Sequence, residues 1–131
     1  MALLGGNLLN IDGKDTSANP AFRKTLLHFV SWTDFDTEEL DMDTRNYHFS
    51  KVNQKMEKMR EITPNSGAYI NDSDYFEPDW ERSFWGNNYE KLKEIKEKYD
   101  PDRVFSVWNG VGGTRPETGS FLDSIFSPRK I

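Results

Sequence analysis

The apolar run KTLLHFVSW, residues 24–32, places the strongest constraint on what this chain can fold into. The run is short and suits a half-buried sheet, so we predict a β-strand, although periodicity alone leaves a helix open. A strand needs neighbours to satisfy its backbone donors and acceptors, and an isolated pair of strands is marginally stable. The sequence offers only short further candidates, within residues 1–18, 67–71 and 104–107. We therefore expect the sheet to be part of a larger domain.

A helix is predicted over residues 46–62, because apolar residues recur there every three or four positions. This stripe consists of Phe49, Val52, Met56, Met59 and Ile62. Charged residues cover the opposite face, and Pro64 stops the helix. The acidic segment before it, residues 33–45, is interpreted as a loop with one helical turn.

A second helix is predicted over residues 89–99, with Asn88 as its N-cap and Asp100-Pro101 as its stop. Its buried stripe is predicted to be Tyr89, Leu92, Ile95 and Tyr99. Val104, Phe105 and Val107 are typical of a last short strand. The Gly-, Pro- and Ser-rich tail, residues 110–131, is predicted to be extended.

Large aromatic residues surround the turn before this second helix. Pro78 is predicted to open a helical turn that runs through Trp80 to Phe84, and Gly86 is predicted to break it. Four aromatic residues are interpreted as a packing cluster, since each buries a large area. They are Trp80, Phe84, Trp85 and Tyr89.

Charge and composition exclude several classes of function. A net charge of −5 argues against a nucleic-acid interface, which requires a basic face. The absence of cysteine excludes disulfides and thiolate metal sites, and two histidines are too few for a His-rich site, so no metal site is predicted. No apolar run approaches the ~18 residues that span a membrane. The N-terminus MALLGGNLLN has no basic region typical of a signal peptide, and the compartment stays open.

Residues 67–105 carry an ordered set of motifs. The matched positions are Gly67, Tyr69, Asn71, Glu77-Pro78-Asp79-Trp80, Phe84-Trp85-Gly86, Asn88-Tyr89, Leu92, Ile95-Lys96, Lys98-Tyr99-Asp100-Pro101 and Phe105. Together they resemble the C-terminal segment of the berberine-bridge-enzyme-like FAD-linked oxidoreductases, most closely the fungal ones. The NPAFR motif at residues 19–23 extends the resemblance towards the N-terminus, with Phe22 where the family more often has Trp.

This resemblance implies an α+β fold, in which an antiparallel substrate-domain sheet with flanking helices precedes the family segment. We predict a partial substrate-domain segment at residues 1–64, the family segment at 65–109 and the tail at 110–131. The family binds FAD in a domain N-terminal to this segment, so the attachment site is expected in a partner chain. We expect a small subunit of a split enzyme, because the chain begins with Met, or otherwise a fragment. Such an enzyme would oxidise a small organic molecule, in fungal secondary metabolism.

Tyr69 and Asn71 are the candidate site residues. In an extended segment, residues two apart point to the same face, so both side chains could reach one ligand. A phenol donates or accepts hydrogen bonds, and an amide offers donors and an acceptor that suit the pyrimidine edge of a flavin. The alternative is a strand whose Tyr packs in a core and whose Asn caps a loop. We predict Tyr69 as the catalytic residue, and Tyr69 and Asn71 as the flavin contacts.

Two features limit what the resemblance assigns. Asp72 stands where sugar- and polyketide-oxidising relatives often have a Tyr that acts as the catalytic base, so the family does not identify the base here. The glycines at residues 110–113 precede no helix pattern, so they do not predict a phosphate-binding loop. The alternative function is a non-catalytic binding or scaffolding protein derived from this family.

Overall fold

The computed structural model describes residues 2–3, 10, 12–13, 16–32, 34 and 41–113. The chain divides into two compact units, Met1–Glu90 and Lys91–Ile131. No described helix is long and apolar enough to cross a membrane. The predicted tail lies outside the described residues beyond Gly113, and so does most of the predicted acidic loop.

One short antiparallel sheet lies in the first unit. Strand β1 (Ala2–Leu3) pairs with β2 (Leu27–His28), with Ala2 opposite His28 and Leu3 opposite Leu27. The short strand predicted within residues 1–18 is confirmed. The strand predicted over 24–32 is wrong in extent, because a ladder reaches only as far as its partner. The run is instead preceded by a 3₁₀ turn, Pro20–Arg23, whose first donor is capped by the side chain of Asn19.

The long helix α1 spans Met42–Ile62, so the predicted helix is confirmed with a start about one turn earlier. The Asp41 carboxylate accepts a hydrogen bond from the Thr44 N–H at 2.7 Å, which caps the helix and lowers the pKa of Asp41. At the other end, the Thr63 N–H donates to the Met59 carbonyl at 3.0 Å, just before Pro64. Most of the predicted stripe is half-buried, whereas Ile62 is exposed.

The aromatic core forms around two further helices. Helix α2 spans Trp80–Trp85, a 3₁₀ turn covers Gly86–Asn88, and α3 spans Tyr89–Tyr99. Trp80, Phe84 and Tyr89 are buried together, with Ala68, Ile70 and Trp85 packed against them. The rings of Trp80 and Tyr89 meet edge to face, with their centroids 5.7 Å apart. The predicted helix ends and the aromatic packing cluster are confirmed.

The second unit corrects two predictions. Ile95 and Tyr99 are exposed, so the predicted buried stripe of α3 is wrong in its C-terminal half. No strand forms at residues 104–107. The Asp100 carboxylate instead accepts the N–H groups of Val104 and Phe105, at 2.8 and 3.1 Å, and folds the backbone into turns.

Lys96 fixes this turn from the helix side. Its ammonium group donates to the Asp100 carboxylate and, at 2.7 Å, to the carbonyl of Phe105. The hydrogen bond from Lys96 holds the pKa of Asp100 below its ordinary value of 3.8. The ionised side chain of Asp100 therefore determines the conformation of residues 104–107, which the apolar sequence predicted to be a strand.

The described structure is thus small and mainly helical, with one short sheet and a core of three buried aromatic residues. That is consistent with a fragment of a larger domain. The domain limits at 64 and 109 stay predictions.

Candidate functional site

The candidate site is held in place by a polar junction, which we call the asparagine junction (residues 13 and 16–19 against 82–88). Asn19 is only 5% exposed. Its amide nitrogen donates to the Ser83 carbonyl at 2.7 Å, and its oxygen accepts the Ala21 N–H at 2.9 Å. Ser83 lies in the last turn of α2, whose carbonyls lack partners within the helix. One side chain therefore caps two elements 64 residues apart.

Asn88 forms the second half of the junction. Its amide nitrogen lies 2.9 Å from three carbonyl oxygens, those of Gly13, Thr16 and Ala18. An amide group has two hydrogens, so one of them is shared between two acceptors. Asn88 directly precedes α3, where the sequence predicted its N-cap, and its amide donors bind the N-terminal segment.

Two glycines allow the close approach of Asn19. A Cβ on Gly67 would clash with the Asn19 amide nitrogen and would lie 2.9 Å from the Ser83 carbonyl oxygen. Gly86 has a φ of +56° and a ψ of −142°, a conformation that is essentially confined to glycine. The Ala68 N–H also donates to the Ser83 carbonyl, at 2.7 Å, which fixes the start of the segment that carries Tyr69.

A buried ion pair secures the other end of that segment. The Glu77 carboxylate is buried and accepts the guanidinium of Arg60, on α1, at 3.0 Å. It also accepts the Ser83 hydroxyl at 2.7 Å. Arg60 in turn donates to the side chain of Asn53 at 2.7 Å. Because both charges are paired and hydrogen-bonded, residues 68–77 are held between α1 and α2.

Tyr69 lies between two aromatic rings from the N-terminal segment. Its ring meets those of Phe22 and His28 edge to face, with centroids 6.3 and 6.5 Å apart. The Tyr69 side chain is still 41% exposed, so the two rings orient the phenol without covering it. The residue is therefore a surface group in a defined orientation rather than a core tyrosine.

Asn71 meets Tyr69, but not through the predicted geometry. The segment is extended only to Tyr69, and Asn71 lies in a 3₁₀ turn, Ile70–Asp72. The pairing of two side chains on one face of a strand is thus wrong. The turn nevertheless brings the Asn71 amide nitrogen 2.7 Å from the Tyr69 hydroxyl oxygen, to which it donates. Among the described residues, no hydrogen bond uses the proton of that phenol.

Two open clefts flank Tyr69 in the first unit. One, of about 240 Å³, lies between the 3₁₀ turn at Pro20–Arg23, β2 and the end of α1. The other, of about 370 Å³, lies between residues 28–32, α1 and residues 67–77. His28 and Tyr69 line both clefts. A ligand that fills either cleft would therefore lie against Tyr69.

His28 and Phe22 are site residues that the sequence interpretation missed. Both belong to segments assigned to the strand or its approach, and nothing nearby in the sequence connects them to Tyr69. The NPAFR motif was a usable signal, because it places Phe22 in the family pattern. Within the described ranges, no group of three or more His, Cys, Asp or Glu residues could hold a metal ion.

Comparison with known proteins identifies the class of this segment. Residues 68–112 match the family model described as "Berberine and berberine like". This segment therefore carries the family's C-terminal motif, and the chain is similar to fungal FAD-linked oxidoreductases. This confirms the resemblance drawn from the sequence.

Three fungal relatives show how far the similarity extends. The FAD-linked oxidoreductase ZEB1 of Gibberella zeae is 41% identical over 97 residues, which cover 74% of this chain. The VAO-type flavoprotein oxidase VAO615 of Thermothelomyces thermophilus is 37% identical over 99 residues, or 73% of the chain. The FAD-linked oxidoreductase sor8 of Hypocrea jecorina is 38% identical over 105 residues, or 76%. The chain spans 17% of the length of each relative. No solved structure matches the chain.

Proposed function

We propose that this chain forms the C-terminal part of an FAD-dependent oxidoreductase, as a fragment or a small subunit, and that it covers the flavin and shapes the substrate cavity. The observation that carries the proposal is the oriented, exposed phenol of Tyr69 with Asn71 bonded to it, inside the segment that matches the family model. The remainder of the enzyme, including the flavin attachment site, would belong to an N-terminal partner. The antiparallel substrate-domain sheet would be completed by that partner.

The groups around Tyr69 fit the polar edge of a flavin. The phenol keeps its proton for donation, because Asn71 donates to its oxygen. Asn71 retains an amide oxygen and a second N–H, so the pair offers two donors and an acceptor. The partly exposed aromatic ring of Tyr69 also suits contact with the flat plane of the isoalloxazine system. When bound, FAD would supply the two-electron oxidation of a small organic substrate.

The roles proposed for this chain are orientation and exclusion of water. Phe22 and His28 fix the ring of Tyr69, and Asn71 fixes its hydroxyl, so the phenol can meet a bound ligand without reorganising. The asparagine junction holds the segment that carries both residues. Tyr69 is the proposed catalytic residue because it is the one group of the pair that can give or take a proton.

A complementation experiment tests this proposal. The chain is co-expressed with the Gibberella zeae relative from which the matching 97-residue stretch has been deleted. Purification through a tag on this chain is expected to recover the truncated relative with stoichiometric flavin, seen in the visible spectrum. A matched Asn88→Asp variant should recover less, because it disrupts the asparagine junction. Recovery of a complex without flavin, or of no complex, would contradict the proposal.

The alternative is a non-catalytic binding protein derived from the same family. Asp72 favours it, since the family's tyrosine base is missing from that position. The two functions separate in the same preparation. A flavin-bearing complex that turns over small organic substrates supports the enzyme, whereas a folded, flavin-free monomer supports the binding protein.

A further inference from the structure

The larger cleft beside Tyr69 combines aromatic walls with acidic side chains. Its aromatic lining is provided by His28, Phe29, Trp32, Phe49, Tyr69 and Tyr75. Val52 and Met56 of α1 form part of an apolar floor. A site of this shape and composition suits a flat, largely apolar molecule, and its volume of about 370 Å³ is within the range of small-molecule sites.

The charged groups along this cleft have one sign. Asp72, Asp74 and Glu77 line it, and no described Lys or Arg does so. Glu77 is already neutralised by Arg60. Asp72 is exposed, and neither it nor Asp74 has an ion-pair partner among the described residues. The carboxylate of Asp72 is thus available to a ligand.

Asp74 has an unmet hydrogen-bonding requirement. One of its oxygens, Oδ1, accepts the Phe76 N–H at 2.9 Å. The other, Oδ2, is shielded from solvent and has no donor within the described part of the chain. A shielded carboxylate oxygen without a donor is costly. A donor carried by a ligand, reached by rotation of the carboxylate, would remove that cost.

The carboxylates of Asp72 and Asp74 give this cleft a negative field. Such a field attracts cations and repels anions before contact is made. His28 is the only lining residue able to acquire positive charge.

We propose that Asp72 and Asp74 determine the charge specificity of this cleft, which accepts a flat aromatic molecule that carries a protonated amine and rejects the corresponding carboxylate. The proposal rests on the proposed function only for identifying this ligand class with the substrate. The charge preference itself belongs to residues 28–77 and needs no flavin.

The test uses two ligands with the same ring and chain length, phenethylamine and 3-phenylpropionate. Binding is followed by NMR, on the complex from the complementation experiment and separately on the chain alone. The amine is expected to bind roughly tenfold more tightly than the acid, and the preference should shrink at high salt. Perturbed signals should include the indole N–H of Trp32.

Two single variants assign the preference. Asp72→Asn and Asp74→Asn should each reduce it by about threefold, whereas the control Asp102→Asn, in the second unit, should leave it unchanged. Equal binding of the two ligands in both samples, absence of binding, or an equal effect of the control variant would overturn the proposal. A flavin-bearing complex without charge preference would refute this inference alone. A preference in the isolated chain without any flavin complex would support the inference and refute the proposed enzyme.

Discussion

The asparagine junction and the apolar segment 26–32 differ in how far their groups find partners within this chain. At the junction, Asn19 and Asn88 are buried, and their amide nitrogens all find carbonyl acceptors in this chain. In segment 26–32, Leu26 is 72% exposed and Trp32 is 70% exposed. The polar groups of the junction find their partners within this chain, whereas segment 26–32 leaves apolar side chains exposed.

This difference indicates which parts of the fold are self-sufficient. Buried polar groups bind neighbours of fixed position, so the junction fixes the position of residues 16–19 against residues 82–88. An exposed apolar strand edge sets no such relation and invites association with another chain. The candidate site lies between the two, with Tyr69 fixed from the junction side and open towards the clefts.

The largest effect is expected from Asn88→Asp. The substitution places a carboxylate oxygen against three carbonyl oxygens and removes their donor, so the chain should lose about 3–5 kcal/mol of stability. The control is Asn87→Asp, at an exposed neighbour, which should change stability by no more than about 0.5 kcal/mol. Urea unfolding followed by tryptophan fluorescence measures both. Equal effects would show that the junction does not hold the fold.

A smaller loss is expected from Gly86→Ala. The backbone conformation at Gly86 disfavours a side chain, and the new Cβ would lie 2.9 Å from the Asn19 amide oxygen. A loss of about 1–3 kcal/mol follows from the strain. Asn87→Ala provides the matched comparison under the same unfolding conditions. A stable Gly86→Ala variant would mean that the turn can relax without Asn19.

Protonation of Asp100 gives a pH-dependent effect in the second unit. Because its pKa is lowered in the folded chain, Asp100 contributes stability at pH values above its ordinary pKa of 3.8. That contribution should be lost as the pH falls from about 4 through the folded pKa. Asp100→Asn should flatten this part of the stability curve, whereas Asp102→Asn should not. Thermal melts at pH values from about 2.5 to about 6 provide the measurement.

Substitution in the apolar segment 26–32 should change self-association rather than stability, the opposite of what is expected at the junction. Leu26→Ser removes an exposed side chain, so stability should change by about 0.5 kcal/mol or less. Self-association should decrease, and sedimentation velocity would detect this. A large loss of stability would show that segment 26–32 packs within the chain after all.

A small effect on the fold is also expected from Tyr69→Phe, which removes one hydroxyl and the hydrogen bond from Asn71. Stability should change by about 1 kcal/mol or less. In the flavin-bearing complex, turnover or flavin redox behaviour should change, and Asn71→Ala should weaken flavin binding. Wild-type kinetics and flavin content in both variants would show that the pair is structural only.

Local signals predicted the parts of this fold that depend on local chemistry. Pro64, Gly86 and Asp100-Pro101 end their helices as predicted, because each restricts the backbone where it stands. The strand predicted at residues 104–107 fails because the Asp100 side chain binds that backbone first. Strand propensity does not decide the conformation here, because the N–H groups of Val104 and Phe105 already donate to the Asp100 carboxylate.

The sequence predicted which residues meet at the site, but not the contacts that hold them in place. The family motif pointed to Tyr69 and Asn71, which do meet. The rings that orient Tyr69 come from residues 22 and 28, more than forty positions earlier. The periodicity of one segment does not predict a contact across that distance. The acceptors of Asn88 are backbone carbonyls, which every residue has, so no residue type in the sequence marks them.

The separation in sequence of the junction contacts has a consequence for how the chain reaches its native state. Asn88 binds Gly13 across 75 residues, and Asn19 binds Ser83 across 64. Closing such long loops has an entropic cost before any contact compensates for it, and folds rich in distant contacts form slowly. On a ribosome, residues 13–19 must wait until residue 88 has left the exit tunnel. The segment that carries Tyr69 is bound to Ser83, so Tyr69 reaches its final orientation late, and a chaperone that shields segment 26–32 during that delay would raise the yield of folded protein.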